Sequence, residues 1–268
     1  MRGGVREEVW GGAEAMPRGV APGAARRALD LLVSAAALLL LSPVIVLVAL
    51  AVKLGSPGPV IFRQVRVGQG GRPFTLLKFR TMRPGERGPE VTRGSDPRIT
   101  RVGKLLRASG IDELPQLLNV LRGEMTLVGP RPETPALAER YPAGYRVVFD
   151  HRPGLTGPTQ VRLRDKDVLP PAGVPDLEGY YLRELVPSRV ALDFSYLDDP
   201  SLARTVGMLW HTAVYVLRGS PVARSRAQQV DASGRPSWLP PPWRGGELPT
   251  AQVRPVEVRV GEANEPNS

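Results

Sequence analysis

The segment from Leu31 to Val52 most constrains how this chain can fold. It holds 22 residues without a charged side chain and is rich in Leu, Val and Ala. An apolar run of about 20 residues is long enough to cross a bilayer as a helix. Ser42-Pro43 lies at its centre, and proline breaks or bends a helix because it removes a backbone hydrogen bond.

Both flanks of this segment are basic, with Arg26 and Arg27 before it and Lys53 and Arg63 after it. Basic residues favour the cytoplasmic side of a membrane, so both ends are expected on that side. This favours a re-entrant helix that enters the bilayer, turns at Ser42-Pro43 and returns. A spanning helix with a tolerated proline is the alternative, and the residues alone leave both open.

The composition restricts the chemistry. No cysteine occurs among the 268 residues, which excludes disulfides, thiolate metal sites and a cysteine nucleophile. With only two histidines, any metal ion would be held mainly by oxygen ligands, which suits magnesium. The formal net charge is +10, and residues 63–107 hold twelve Lys or Arg against three acids. This local charge indicates an anionic partner: nucleic acid, anionic lipid or a phosphorylated small molecule.

Local patterns predict a strand pair and a capped helix after the apolar segment. Val60–Phe62 and Phe74–Phe79 are predicted as short strands around a glycine-rich turn. Thr100 is predicted to cap a helix that runs to Arg107.

Two more helices are predicted further along the chain. One runs from Asp112 to Leu121, and four leucines share one of its faces: Leu114, Leu117, Leu118 and Leu121. A late amphipathic helix covers about 202–218. Its apolar stripe fits either packing into the core or lying on a membrane surface.

Asp112 and Glu113 are adjacent carboxylates between the basic region and a run of leucines. Adjacent side chains on a helix point about 100° apart, so these acids can serve one site from two directions. One could hold a metal ion while the other acts as a nucleophile. The alternative is that they are first-turn acids favoured only by the helix dipole.

Seven phrases follow one another along the chain: Arg27-Ala28-Leu29-Asp30, Ser42-Pro43, Gly58–Gln64, Lys78–Met82, Asp112–Leu117, Gly129–Pro132 and Arg152–Gly157. Together they resemble the bacterial sugar transferase family, the monotopic polyprenyl-phosphate phosphoglycosyl transferases. The resemblance covers about residues 26–218 and implies a small version of the family's catalytic domain.

The resemblance implies an α+β fold: a small mixed helix/strand catalytic domain, an N-terminal re-entrant membrane helix and interfacial amphipathic helices. The chain is then expected to divide into four regions. These are a disordered N-terminus (1–25), the re-entrant membrane helix (26–57), the catalytic domain (58–218) and a Pro-rich tail that is predicted to be disordered (219–268).

The resemblance also implies a reaction. A UDP-sugar donates its sugar 1-phosphate to a polyprenyl phosphate such as undecaprenyl phosphate, UMP leaves, and exopolysaccharide or another glycoconjugate begins to assemble. In this family the Asp of the Asp-Glu pair attacks the β-phosphorus and forms a covalent phosphosugar-aspartate, and the Glu binds Mg²⁺. Asp112 matches the first position and Glu113 the second. The implied location is the cytoplasmic face of the bacterial inner membrane, with downstream glycosyltransferases as further partners and no nucleic acid.

Four basic residues are candidates for binding substrate. Arg107 and Arg131 match family positions that contact phosphate, and Lys78 and Arg80 are further candidates. Ser42-Pro43 matches the family's helix-breaking pair.

The family domain usually ends with a Tyr, an Asp and a Thr. Tyr196 and Thr205 supply two of these types, but the spacing leaves open which of Asp193, Asp198 and Asp199 corresponds to the Asp.

A membrane-anchored, non-enzymatic protein that binds anionic lipid or nucleic acid is the main alternative, and the charge distribution would suit it. It does not account for Asp112 and Glu113 beside the basic region. The stretch also lacks interleaved aromatic residues on which bases could stack. No motif in the chain identifies the transferred sugar.

Overall fold

The computed structural model describes residues 22–84, 96–162 and 176–218. Most of the predicted disordered N-terminus and the whole predicted tail, 219–268, therefore lie outside the described residues. In chain order the helices and strands are α1 Ala24–Leu40, α2 Ser42–Gly55, β1 Ile61–Val67, β2 Pro73–Phe79, α3 Arg101–Ser109, α4 Gln116–Arg122, β3 Thr126–Val128, α5 Pro135–Glu139, β4 Gly154–Thr156, α6 Pro158–Arg162, α7 Leu177–Tyr180, α8 Val186–Leu197 and α9 Leu202–Arg218.

Short irregular helical turns join several of these elements. Segments of 3-10 helix cover Gln69–Gly71, Ile111–Glu113 and Ala143–Asp150, and a π-helical turn, Tyr181–Leu185, joins α7 to α8. One antiparallel strand pair and one parallel pair accompany the helices. This mixture of helices and strands confirms the predicted α+β class.

Helices α1 and α2 are separated by Leu41 and bent by 63° relative to each other. Pro43 lies in the first turn of α2, where its missing N–H is tolerated. The Ser42 hydroxyl donates to the Leu39 carbonyl oxygen at 2.8 Å. The predicted helix break at Ser42-Pro43 is confirmed. Across the described ranges no single helix is long and apolar enough to cross a bilayer, whereas α1 and α2 meet both criteria as a bent pair.

Strands β1 and β2 form an antiparallel hairpin in which Ile61 lies opposite Phe79 and Val67 opposite Pro73. The turn contains Gly70 and Gly71 at φ 64° and 73°, a backbone conformation that glycine adopts without steric cost. Both predicted strands are confirmed, and β1 continues to Val67 because its whole length is paired.

Two apolar clusters attach the bent helix pair to the rest of the protein. Val52 of α2 packs with Phe79 of β2 and Leu106 of α3. Helix α1 covers a larger cluster with Val33, Ala37 and Leu38. Buried residues of four elements and a loop supply that cluster: Phe74, Leu76, Leu117, Val120, Met125, Leu127, Val128, Tyr196 and Leu197.

The predicted helix over Asp112–Leu121 is wrong at its start. Asp112 and Glu113 lie on a 3-10 turn, and α4 begins only at Gln116. The reason is Pro115, which has no N–H to donate to the carbonyl of residue 111 and so delays the α-helical hydrogen-bond ladder.

The predicted leucine face of α4 is also only partly right, because Leu118 is 39% exposed while Asn119 is fully buried. The Asn119 amide accepts from Leu77 N at 3.1 Å and donates to the Thr75 carbonyl at 2.8 Å. These bonds to the edge of β2 satisfy backbone groups that a leucine side chain would leave unpaired. They determine which side of α4 faces the core.

The late helix is confirmed as α9, and its apolar face is divided between core and surface. Leu209 packs against the cluster beneath α1, whereas other apolar side chains of the same face are exposed. Leu202, Val206 and Trp210 are 45%, 50% and 69% exposed. The inward side also carries Thr205, whose hydroxyl bonds to the Tyr196 hydroxyl at 2.6 Å. Core packing is therefore the wrong alternative for these three apolar side chains.

Candidate active site

The Asp112-Glu113 turn is held between α3 and α4. Thr100 caps α3 as predicted, with its hydroxyl accepting from Gly103 N at 2.9 Å. Gly110 ends α3 at φ 75°, a left-handed conformation that favours glycine. The chain therefore reverses sharply and presents two consecutive carboxylates on the Ile111–Glu113 turn.

Asp112 and Glu113 occupy different environments although they are neighbours in sequence. Asp112 is only 8% exposed, and burial raises the pKa of its carboxyl group, while Lys78, Arg107 and Arg131 act to lower that pKa. Glu113 is partly exposed, and its Oε1 lies 3.5 Å from Arg131 Nη1. The turn thus offers one desolvated carboxylate and one that is accessible to ligands.

Three of the four predicted substrate-binding cations lie near these acids. Lys78 comes from β2, Arg107 from the last turn of α3, and Arg131 from the loop after β3. Arg107 Nε donates to the Thr81 hydroxyl at 2.9 Å. Because each of the three influences the pKa of Asp112, the structure brings together residues that are up to 53 positions apart in the chain.

The pKa of Lys78 departs strongly from its ordinary value. Its pKa is lowered to about 8, mainly by burial and also by nearby Arg66 and Arg107, while Asp112 and Glu113 oppose the change. Its Nζ lies 5.1 Å from the centre of the Phe62 ring, which is its cross-strand partner in the hairpin. A lysine with this pKa changes charge close to physiological pH.

Arg80 differs from the other three. Its guanidinium is buried and donates to the carbonyl oxygens of Ser56 and Pro57, the former at 2.7 Å, and to the Ser56 hydroxyl at 3.0 Å. Carbonyl groups just beyond a helix C-terminus lack helical partners, so these bonds give Arg80 a structural role at the end of α2. Its role in substrate binding stays a prediction.

Arg131 is presented by two backbone segments in close contact. Gly129 N donates to the Thr156 carbonyl at 2.9 Å, and Gly154 N donates to the Pro130 carbonyl at 2.8 Å. A Cβ atom on Gly154 would overlap the backbone nitrogen of Gly129. This close approach requires glycine and joins the Gly129–Pro132 phrase to the Arg152–Gly157 phrase.

Behind Arg131 lies a buried polar network that the sequence did not predict. Glu133 accepts hydrogen bonds from the hydroxyls of Tyr141 and Tyr181, and Arg189 Nη1 lies 3.7 Å from Glu133 Oε1. Arg189 also donates to the Tyr181 hydroxyl at 2.7 Å. Glu133 directly follows the Gly129–Pro132 phrase, but nothing in the local pattern indicates that the partners of this acid come from 8 to 56 residues away.

Asp193 belongs to the same region, and its surroundings differ from those of the other two late acids, Asp198 and Asp199. It accepts from the Thr159 hydroxyl at 2.7 Å, and burial raises its pKa to about 7 although that hydrogen bond opposes the rise. A small cavity extends from Arg131 to Asp193, whereas Asp199 is exposed. Asp193 is therefore the late acid that lies beside the candidate site.

The residues present fit a magnesium ion only with help from a substrate. In the ranges that the structure describes, no three His, Asp or Glu side chains are close enough together to hold a metal ion. Mg²⁺ in phosphate-handling sites is commonly bound by one or two carboxylates together with substrate phosphates. The accessible Glu113 carboxylate, with Asp112 beside it, matches that donor set.

Comparison with known proteins gives consistent matches. Residues 22–219 match the family described as bacterial sugar transferase. A UDP-glucose:undecaprenyl-phosphate glucose-1-phosphate transferase of Caulobacter vibrioides is 45% identical over 208 residues, which cover 75% of this chain and 73% of the relative. An enzyme of the same name from Escherichia coli is 48% identical over 141 residues, covering 51% of this chain and 30% of the relative.

The exopolysaccharide production protein ExoY of Rhizobium meliloti is 37% identical over 219 residues, covering 74% of this chain and 88% of the relative. The match thus extends over most of some relatives but under a third of the Escherichia coli protein. The family match covers every described element, from α1 through the Asp112-Glu113 turn to α9. The chain belongs to the bacterial sugar transferase family.

Proposed function

We propose that this protein transfers a sugar 1-phosphate from a UDP-sugar to a polyprenyl phosphate such as undecaprenyl phosphate and releases UMP. The observation that carries the proposal is the convergence of Lys78, Arg107 and Arg131 on the Asp112-Glu113 turn. The three cations are suited to a diphosphate, and the relatives with the best coverage are named for this transfer or for exopolysaccharide production. The product would begin the assembly of such a glycan on its lipid carrier.

In the proposed first step, a carboxylate oxygen of Asp112 bonds to the β-phosphorus of the donor. The bond from that phosphorus to the bridging oxygen breaks, and UMP leaves with the bonding electrons. A phosphate oxygen of the polyprenyl phosphate then displaces Asp112, which yields the lipid diphosphate sugar and restores the carboxylate. A covalent intermediate divides one difficult transfer into two easier steps.

The surrounding side chains have separate roles in this mechanism. The low exposure of Asp112 limits the access of water, which would otherwise hydrolyse the acyl phosphate. Lys78, Arg107 and Arg131 hold the phosphate oxygens and offset the negative charge of the donor as UMP departs. Glu113 would hold Mg²⁺, which when bound supplies further neutralisation of the diphosphate.

We further propose that α1 and α2 form a re-entrant membrane hairpin on the cytoplasmic face of the inner membrane. At ~1.5 Å per residue, the 17 residues of α1 and the 14 of α2 reach only ~25 Å and ~21 Å. Each is shorter than the ~30 Å hydrocarbon core of a bilayer. Leucines along both arms are exposed, among them Leu32, Leu39, Leu47 and Leu54.

The exposed apolar residues of α9 are a second observation that supports the membrane assignment. Leu202, Val206 and Trp210 lie one helical turn apart on one face, which suits a helix lying in the interface between water and lipid. This arrangement would bring a water-soluble UDP-sugar and a lipid-borne acceptor to one surface. Glycosyltransferases that extend the product are the expected downstream partners. The non-enzymatic alternative is disfavoured because Lys78, Arg107 and Arg131 face carboxylates.

The test is a screen of UDP-sugars with undecaprenyl phosphate and Mg²⁺, using protein in lipid nanodiscs and measuring released UMP. We expect UMP release with at least one donor, dependence on the acceptor for repeated turnover, and loss of release in Asp112→Asn. A matched control is Asp199→Asn, which removes an exposed acid. Absence of UMP release with the full donor panel, in folded protein, would refute the proposed function.

A further inference from the structure

The Arg27-Ala28-Leu29-Asp30 phrase has no role in the chemistry proposed above, yet Asp30 is a charged residue that is only 1% exposed. Its two carboxylate oxygens accept from the Thr126 hydroxyl at 2.7 Å and from Leu127 N at 2.9 Å. Both donors belong to β3, the strand that leads directly to Arg131. A buried carboxylate is tolerated only when it is well bonded, so these two contacts hold α1 in one register on β3.

Two arginines in the first turn of α1 add contacts in the same place. Arg26 Nη2 donates to the Val128 carbonyl, the last residue of β3, at 3.0 Å. Arg27 donates to the carbonyls of Val120 and Leu121 at 2.7 Å and 2.9 Å. The last carbonyls of a helix lack partners within it, so Arg27 caps the C-terminus of α4.

The elements held in this way flank the candidate active site. Helix α4 begins three residues after Glu113, and β3 ends three residues before Arg131. The Glu113–Arg131 contact therefore joins the segments that adjoin α4 and β3, the two elements that α1 contacts.

Helix α2, the second helix of the bent pair, packs close to Lys78 and Arg107. Val52 of α2 packs against Phe79 and Leu106, the immediate neighbours of Lys78 and Arg107 in the chain. Helix α1 thus contacts the elements that flank Glu113 and Arg131, and α2 packs in a cluster that includes the chain neighbours of Lys78, Arg107 and Asp112.

We propose that Asp30 is a positioning residue of the active site: by fixing α1 on β3 and α4, it sets the placement of Arg131 relative to the Asp112-Glu113 turn and couples that placement to the membrane hairpin. The inference rests on the proposed function for its effect on turnover, but the anchoring itself is independent of it. Asp30 touches no reacting atom and acts only through Thr126 and Leu127.

Four variants test the proposal. Asp30→Ala removes both hydrogen bonds, Thr126→Val removes one while preserving side-chain shape, Thr126→Ser keeps the hydroxyl, and Asp199→Asn is the control for loss of an exposed acid. Spin labels on cysteines introduced at Leu32 and Glu139, both exposed, report the distance from α1 to the segment after Arg131, because the chain has no cysteine of its own.

In nanodiscs we expect Asp30→Ala to broaden or shift the interspin distance distribution and to lower kcat/KM for the donor by at least about tenfold per folded molecule. The donor KM should rise together with the fall in kcat, because Arg131 is one of the residues proposed to hold the donor phosphates. Flotation with liposomes should be unchanged, since the exposed leucines remain. Thr126→Val should show a smaller effect, and Thr126→Ser and Asp199→Asn should behave like the wild type.

An unchanged distance distribution in Asp30→Ala would overturn the proposal, as would kcat/KM within about twofold of the wild type. If Asp30→Ala does not fold, Thr126→Val decides by the same criteria. Wild-type protein that releases no UMP would refute the proposed function instead, and the distance measurement would still decide whether Asp30 anchors α1.

Discussion

At the scale of single residues, the proposed mechanism depends on the contrast between Asp112 and Glu113. We expect Asp112→Asn to abolish turnover, by at least about a thousandfold, because an amide cannot form the acyl phosphate. Its stability should be unchanged or higher near pH 7, since a raised folded-state pKa means that the ionised carboxylate disfavours folding there. UMP release and thermal unfolding are the measurements.

The matched substitution Glu113→Gln removes the accessible carboxylate and should leave the nucleophile in place. We expect a lower rate that recovers partly at higher Mg²⁺ concentration, as measured by magnesium titration. A normal titration in Glu113→Gln would remove this residue from the metal site, and substantial turnover in Asp112→Asn would exclude the covalent mechanism.

The pKa of Lys78 predicts how kcat/KM depends on pH. Its pKa of about 8 means that its positive charge is present below that pH and lost above it, so kcat/KM for the donor should decline above about pH 8. At low pH the rate should also fall, and at a higher pH than for an exposed Asp, because burial raises the pKa of Asp112. In Lys78→Arg the alkaline decline should move to higher pH, since arginine stays charged. If kcat/KM of Lys78→Arg declined over the same alkaline pH range as that of the wild type, another group would be responsible for the decline.

At the scale of elements, Arg80 lies in the Lys78–Met82 motif that resembles the family, yet its contacts are structural. Arg80→Lys should lower the free energy of unfolding by about 2–3 kcal/mol, because one ammonium group cannot bond both Ser56 and the Pro57 carbonyl in the same geometry. The donor KM should change little. Chemical denaturation and initial rates measure the two effects, with exposed Arg72→Lys as the control. A raised KM with unchanged stability would instead support the predicted role in substrate binding.

At the scale of the whole molecule, the bend between α1 and α2 determines how the protein meets the membrane. Replacing Ser42-Pro43 by Ala-Leu restores the helical hydrogen bond and removes the steric reason for the bend. We expect the segment to straighten and cross the bilayer, which would move the N-terminus to the periplasm and reduce turnover. Cysteines introduced singly at positions 20 and 139 can be tested with an impermeant thiol reagent on intact cells.

In the wild-type background both cysteines should be protected until the cells are opened, because both ends of the hairpin are expected on the cytoplasmic side. In the Ala-Leu variant position 20 alone should react. Labelling of position 20 in the wild-type background would show that the segment spans the membrane, and the re-entrant proposal would then be wrong.

The sequence by itself determined the features that depend on local backbone chemistry. Pro43 favoured a break or bend, Thr100 provided a cap, and the glycine-rich turn joined two strands, because each acts within a few residues along the chain. The Asp112-Glu113 pair was also evident as a candidate site, although Pro115 moved it from an α-helix onto a 3-10 turn.

Only the tertiary structure decided which distant groups meet. The partners of Asp30, Glu133 and Arg80 lie 8 to 97 residues away, and periodicity carries no information about such pairings. The same holds for the outward-facing Leu202, Val206 and Trp210 of α9, because an amphipathic pattern identifies an apolar face without specifying what covers each residue. Long-range packing places Lys78, Arg107 and Arg131 around Asp112, and that placement turns separate motifs into one site.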